Sequence, residues 1–121
     1  MTAETRYPFS ATQRLRRRKD FAHVYDRRSC RHAGPLRIYA APNGLAWSRL
    51  GTSVSAKVGP AVRRNRIKRR LRNAFRLLQH ELPAGYDFVV VVRRHDPLSV
   101  AAYQKHLASA AAQLHAHWKR T

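Results

Sequence analysis

The residues best equipped for chemistry in this chain are cations, and they crowd one segment. Eight of the 14 residues from Arg63 to Arg76 are Lys or Arg, and no acid occurs between Lys57 and Gln79. Across 121 residues, 25 Lys+Arg stand against 6 Asp+Glu, a formal charge of +19. Self-repulsion on that scale opposes compaction, and a polyanionic partner is the usual compensation. A solvated helix face normally interleaves Glu with Lys four residues apart, because like charges at that spacing destabilise a helix. Here the like-charge choice recurs. The cation is mostly Arg, whose planar fork suits bidentate phosphate contacts and stacking. The segment therefore reads as a surface for an external polyanion, with nucleic acid as the first candidate.

Other chemistry finds little support. The acids Glu4, Asp20, Asp26, Glu81, Asp87 and Asp96 are scattered, whereas a two-metal nuclease needs clustered carboxylates. Asp20 and Asp26 are six residues apart, a spacing that puts them on different helix faces. His23 and His95 would be the candidate acid–base pair, but nothing local orients them. His115 and His117, two apart on a helix, have the wrong spacing for joint metal ligation. Cys30 is the only cysteine, which excludes an intramolecular disulfide and a thiolate zinc cluster and fits a reducing cytoplasm. No apolar run approaches the ~20 residues a membrane helix needs. The expectation is no catalytic residue or metal site in the protein, no membrane and no small-molecule substrate. RNA is preferred to DNA because a second basic cluster, Arg14 to Lys19, is accompanied by aromatics able to stack on unpaired bases: Phe21, Tyr25 and Tyr39. Phe21 and Tyr25 would also serve as ordinary core.

The elements that must position these groups follow from periodicity. Residues 1–13 show none, and read as an irregular N-terminal arm ahead of a single domain, 14–121. Phe21, Val24 and Tyr25 share one face of a helix from about Arg18 to Arg28. Leu36 to Ala40 and Arg49 to Ser55 read as strands, most simply an antiparallel hairpin across the turn residues Asn43-Gly44. Gly59-Pro60 opens a helix running to about Leu82. At about 100° per residue, Ile67, Leu71, Ala74, Phe75, Leu78 and Leu82 form a core-facing stripe. Asn65, Arg69, Arg72 and Arg76 form a polar ridge opposite. Tyr86 to Arg93 is a third strand, its continuous Phe88 to Val92 run implying burial on both faces. Ser99 caps a last helix reaching Trp118, with Val100, Tyr103, Leu107, Ala110, Ala111 and Leu114 at helical spacing. The order α-β-β-α-β-α describes an α/β (α+β) two-layer sandwich, a small sheet with about three helices.

The string Val54-Ser55-Ala56-Lys57-Val58-Gly59, followed by Ala61-Val62-Arg63-Arg64-Asn65-Arg66-Ile67-Lys68-Arg69, resembles the signature of the bacterial ribonuclease P protein subunit. Leu15, Lys19-Asp20-Phe21 and Tyr25 resemble that family's first helix, and Tyr86 to Val91 its last strand. The resemblance implies a ribonucleoprotein whose catalytic component is an RNA that removes the 5′ leader of precursor tRNA, with Mg2+ at the RNA active site. It implies that Arg63, Arg64, Asn65, Arg66, Lys68, Arg69, Arg72 and Arg76 contact the catalytic RNA. It also implies that Phe21, Tyr25, Tyr39 and Lys57 line a cleft for the leader, and that the fold carries a left-handed strand-helix-strand crossover. The family often has two adjacent lysines where this chain has Ala56-Lys57. A ribosomal or other structural RNA-binding protein would share the charge without the motif string. DNA reading by Val62 to Leu82 and membrane-surface binding are the remaining alternatives.

Overall fold

The computed structural model describes residues 11–120. Its elements are α1 (Arg18–Asp26), β1 (Cys30–Ala33), β2 (Leu36–Pro42), β3 (Arg49–Ser53), α2 (Ala61–Leu78), β4 (Tyr86–Val92) and α3 (Val100–Lys119). Short 3₁₀ turns occupy Ala11–Gln13 and Ala56–Val58. The expected arm of residues 1–13 lies mostly outside the described residues, and its last three are helical rather than irregular.

The four strands form one mixed sheet in the order β1-β2-β4-β3. β4 pairs antiparallel with β2, Ile38 opposite Val90, and parallel with β3, Gly51 opposite Val89. The expected hairpin between β2 and β3 is therefore corrected: β4 lies between them, and the parallel β3–β4 pair is bridged by α2. The physical reason is burial. A Val-rich strand gains most where both faces are covered, and that position is the centre of the sheet. β2's antiparallel hairpin partner is instead β1, a strand the sequence reading missed. Cys-Arg-His-Ala carries no apolar alternation, but Gly34 and Pro35 form its two-residue turn, with Gly34 at φ 55°.

Alternation along β2 and β4 splits the core in two. Leu36, Ile38, Ala40, Phe88, Val90 and Val92 face α2 and α3 and join Ile67, Leu71, Phe75, Tyr103, Leu107 and Leu114 in the main core. Each such side chain, fully buried, is worth about 1.5–3 kcal/mol. The other face meets only α1, where Leu15, Val24, Ala41 and Val89 are buried and Phe21, Tyr25, Tyr39 and Val91 are half-covered. α1 ends two residues earlier than expected, because Arg28 turns to φ 56°. α2 stops at Leu78 rather than Leu82: the Leu78 carbonyl takes the amides of both Glu81 and Leu82, closing a turn before Pro83. α3 is capped as expected, the Ser99 hydroxyl accepting from Ala102 N–H at 3.1 Å.

α1 sits this close to the sheet because β3 has no side chain beneath it. A Cβ built on Gly51 would lie 2.6 Å from Phe21 Cζ and 3.0 Å from Leu15 Cβ. Gly51→Ala should overpack this layer and cost about 1–3 kcal/mol, read as a lower urea midpoint. An unchanged midpoint would mean that Phe21 can move aside freely.

Candidate RNA interface

The sequence-predicted basic residues do not all share one environment. Asn65, Arg66 and Arg69 are exposed on α2, while Arg72 and Arg76 are half-covered on the same ridge. Arg63 forms a 3.6 Å ion pair with Asp96, an acid that is almost fully exposed. Such a surface pair contributes little and leaves Arg63 available to compete for another anion. Arg64 donates from Nε to the Gly59 carbonyl at 3.1 Å, bracing the start of α2. Arg70, outside the ridge, donates to the Leu98 carbonyl at 2.9 Å and ties α2 to the loop before α3. Two arginines in the first turn oppose the positive end of the helix dipole, so the sequence here does not serve helix stability.

The ridge is longer than the helix. The segment Arg14–Leu15 runs beside β3, with Leu15 N–H donating to the Leu50 carbonyl at 3.0 Å. Leu15 enters the α1 cluster, and Arg14 comes close enough to α2 to perturb Arg72. The Arg72 guanidinium is pushed below its ordinary pKa by burial first, then by Arg14 and by Arg69. Arg14, from the first basic cluster, thus joins Arg69 and Arg72 of the second, and cations there are pressed against cations. Folding tolerates that repulsion; an anion would relieve it.

On the opposite face, the three predicted aromatics converge. Tyr25 meets Tyr39 edge to face, ring centroids 5.0 Å apart at 88°, and Phe21 packs over Gly51. Arg37, which sequence reading overlooked, lies one pleat along β2 from Tyr39. Its guanidinium donates to Tyr39 Oη at 3.4 Å and to His32 Nε2 at 2.9 Å. Hydrogen bonding to Tyr39 is the main cause holding Arg37 more firmly in its charged form. The period-2 spacing of Arg37 and Tyr39 was the available signal. Lys57 is exposed on the 3₁₀ turn after β3. The result is a half-covered aromatic patch between α1 and the sheet, with the Arg37 guanidinium beside Tyr39.

Four of the groups weighed for acid–base or metal chemistry, Asp87, His95, His115 and His117, have structural partners. Asp87 is buried and receives both Arg49 nitrogens at 2.8 and 2.7 Å and Asn43 Nδ2 at 2.9 Å. His95 lies between the Arg93 carbonyl and Tyr103 Oη at 2.8 and 2.7 Å. His115 bonds Tyr86 Oη and His117 bonds Ser29 Oγ, at 2.8 and 3.1 Å. Burial raises the pKa of both Tyr86 and Tyr103, so both phenols stay neutral. Among the described residues no three of His, Cys, Asp or Glu converge on a metal-sized site. No helix among them is long and apolar enough to cross a membrane.

Comparison with known proteins decides between the RNA-binding classes. The family described as "Ribonuclease P" matches residues 9–115. The chain belongs to the ribonuclease P protein family. The ribonuclease P protein component of Chromohalobacter salexigens is 40% identical over 115 residues, covering 93% of this chain and 84% of that protein. That of Alkaliphilus oremlandii is 41% identical over 83 residues, covering 69% and 73%. Among solved structures, the RNase P protein from Thermotoga maritima, in complex with 1-(4-fluorophenyl)-2-thiourea, superposes with a TM-score of 0.72 at 31% identity, covering 78% of this chain and 94% of that one. A Staphylococcus aureus RNase P protein mutant with defective mRNA degradation activity gives 0.74 at 26% identity, with 87% and 89% covered. The three helices and four-stranded mixed sheet are the fold of these ribonuclease P proteins. Family membership makes the chain a protein component of a tRNA-processing endoribonuclease, a ribonucleoprotein, and so implies an RNA partner.

Proposed function

We propose that this protein docks on the catalytic RNA of ribonuclease P through the α2 ridge and holds the 5′ leader of precursor tRNA in the α1–sheet cleft. The observation that carries the first part is the Arg14–Arg69–Arg72 cluster, where burial and like charge together work against Arg72. Arg63, Arg64, Asn65, Arg66, Lys68 and Arg76 extend that surface along and around α2. The second part rests on Phe21, Tyr25 and Tyr39 lying together, half-covered, with Arg37 beside them and Lys57 exposed at the end of β3. Stacking surfaces flanked by cations suit a single strand, because every base has a π-face and every linkage a phosphate.

In this reading the cutting is done by the RNA. Protein-borne hydrolysis would need an oriented base or a metal cradle, and Asp87, His95 and His115 are already engaged in the fold. In the same reading, Mg2+ would act at the RNA active site. The setting is the bacterial cytoplasm, where precursor tRNA is made.

The leader assignment is tested by Tyr25→Ala. Base–aromatic stacking contributes about 1–3 kcal/mol per base, so precursor tRNA binding by the holoenzyme should weaken by roughly tenfold or more. Mature tRNA, which has no leader, should bind as before. Equal losses for both substrates would remove the leader from the cleft.

A further inference from the structure

A second basic surface lies at the edge of the sheet remote from the ridge. The strand order β1-β2-β4-β3 puts β1 and β3 at opposite edges. The ridge flanks β3, where Arg14 is bridged to Leu50 and lies beside Arg72. At the other edge the chain leaves α1 through Arg27 and Arg28, turns at the buried Ser29 and enters β1. The end of α3 meets it there. Ser29 Oγ and His117 Nε2 are hydrogen-bonded at 3.1 Å, and Trp118 Nε1 donates to the Ala40 carbonyl at 2.9 Å. The Arg27 guanidinium covers the Trp118 ring, 4.8 Å from its centroid. These contacts bring Arg27 and Arg28 to the same end of the molecule as Lys119 and Arg120, and all four cations are exposed. Asp26, the neighbouring acid, forms no ion pair with them among the described residues. A cation complements a helix C-terminus, but four gathered where two such ends meet repel one another. Arg28 adds a backbone cost. It sits at φ 56°, the left-handed position that helix ends usually give to Gly or Asn because a Cβ is strained there. Its amide closes α1 on the Tyr25 carbonyl at 3.0 Å, a bond that glycine would make equally well. The guanidinium therefore has its use outside the turn.

We propose that Arg27, Arg28, Lys119 and Arg120 hold phosphates of the leader's 5′-distal nucleotides, where the strand leaves the cleft at the β1 edge. This rests on the leader reading and gives that strand a direction. Phe21 packs over Gly51 of β3, and Tyr25 meets Tyr39 of β2, so the aromatics cross the sheet from the β3 side toward β1. A precursor whose cleavage point is held by RNA docked beside β3 enters the cleft there. Its 5′ end emerges past Tyr25, one turn of chain from Arg28. The ligand chemistry is the phosphodiester backbone, so this surface should tolerate any leader sequence. Trp118 stays in the fold beneath Arg27 and serves to hold that guanidinium at the edge.

The test uses holoenzyme reconstituted from the catalytic RNA and the full chain, with precursor tRNAs whose leaders are shortened stepwise from the 5′ end. The variant is Arg28→Gly with Arg120→Gln. Glycine suits the left-handed position, so the urea midpoint of the free protein should hold or rise. For the longest leader, the slope of log K against log salt should fall by about 1.4, two single-strand phosphate contacts at about 0.7 each, and affinity at low salt by roughly tenfold or more. As distal nucleotides are removed, the ratio of parent to variant affinity should fall to one. Leaders too short for these cations but long enough for the cleft should still respond to Tyr25→Ala. Mature tRNA should not distinguish parent from variant. A variant equally weakened toward mature tRNA would put the cations on the tRNA body or the catalytic RNA, and overturns the proposal. So does a ratio of one at every leader length. Failure of the leader reading shows separately, as equal losses for precursor and mature tRNA in Tyr25→Ala, whatever Arg28 does.

Discussion

Replacing Arg69 and Arg72 together by Gln is expected to lower the slope of log K against log salt by about 2, one unit for each phosphate contact removed. A protein engaging 6–10 phosphates loses about 10³–10⁵ in affinity between 50 and 200 mM salt. A slope smaller by 2 makes that loss about tenfold milder, while affinity at low salt falls by more than an order of magnitude. The two positions are chosen for different reasons. Arg69 is exposed, and Arg72 is half-covered with a pKa lowered by burial, Arg14 and Arg69. Removing two mutually repelling charges should leave folding stability unchanged or slightly higher, so a loss of RNA affinity with a steady urea midpoint isolates docking from folding. Filter binding across a salt series, with denaturation of the free protein, gives both readings. A parallel shift of the line without a slope change would mean that these arginines do not neutralise phosphates.

The parts of this interface that were legible in the sequence are those carried by a single element. The stripe Ile67-Leu71-Ala74-Phe75-Leu78 is buried throughout and the ridge opposite it is not, because helical period is a local property. Likewise Ser99 could be read as a cap, and the Val run as a central strand. What could not be read depends on pairing across the chain. Phe88 to Val92 shows that β4 is buried, but not that it separates β2 from β3. Cys30 to Ala33 becomes a strand only because β2 and its Gly34-Pro35 turn hold it there. Arg14 is carried toward Arg72 because the next residue, Leu15, bonds its N–H to the Leu50 carbonyl, a contact with no periodic trace. Trp47 belongs to no periodic segment, and its bonds to Thr12 and Asn43 join stretches that no local pattern links. The motif string pointed to the family, which its match over residues 9–115 bears out.

The largest effect on stability should come from Arg49→Met. Asp87 is 2% exposed, and Arg49 supplies two of its hydrogen bonds and its counter-charge. Without Arg49 a carboxylate remains in the sheet with Asn43, among the described residues, as its remaining side-chain donor. Breaking a buried pair by removing one partner costs about 3–5 kcal/mol, chiefly through the uncompensated charge left behind. Arg49 is partly solvated, its side chain 23% exposed, so the lower end applies, roughly a 10 °C fall in Tm for a chain this size. Adding Asp87→Asn removes the stranded charge and should restore more than half of the loss, whereas a pair acting only through packing would give no recovery. The same variant bears on the loop before β3. Asn43 bridges Asp87 to the Trp47 carbonyl, and its Oδ1 accepts from Leu45 N–H at 2.8 Å. Ser48 Oγ, next in the chain, accepts from Tyr86 N–H and donates to the Pro83 carbonyl. The loop bearing Trp47 is thus tied to β4 through the ion pair. In a Trp118→Phe background, where Trp47 is the sole tryptophan, Arg49→Met should therefore shift the emission below the unfolding transition, and a loop held independently of the pair would show no such shift.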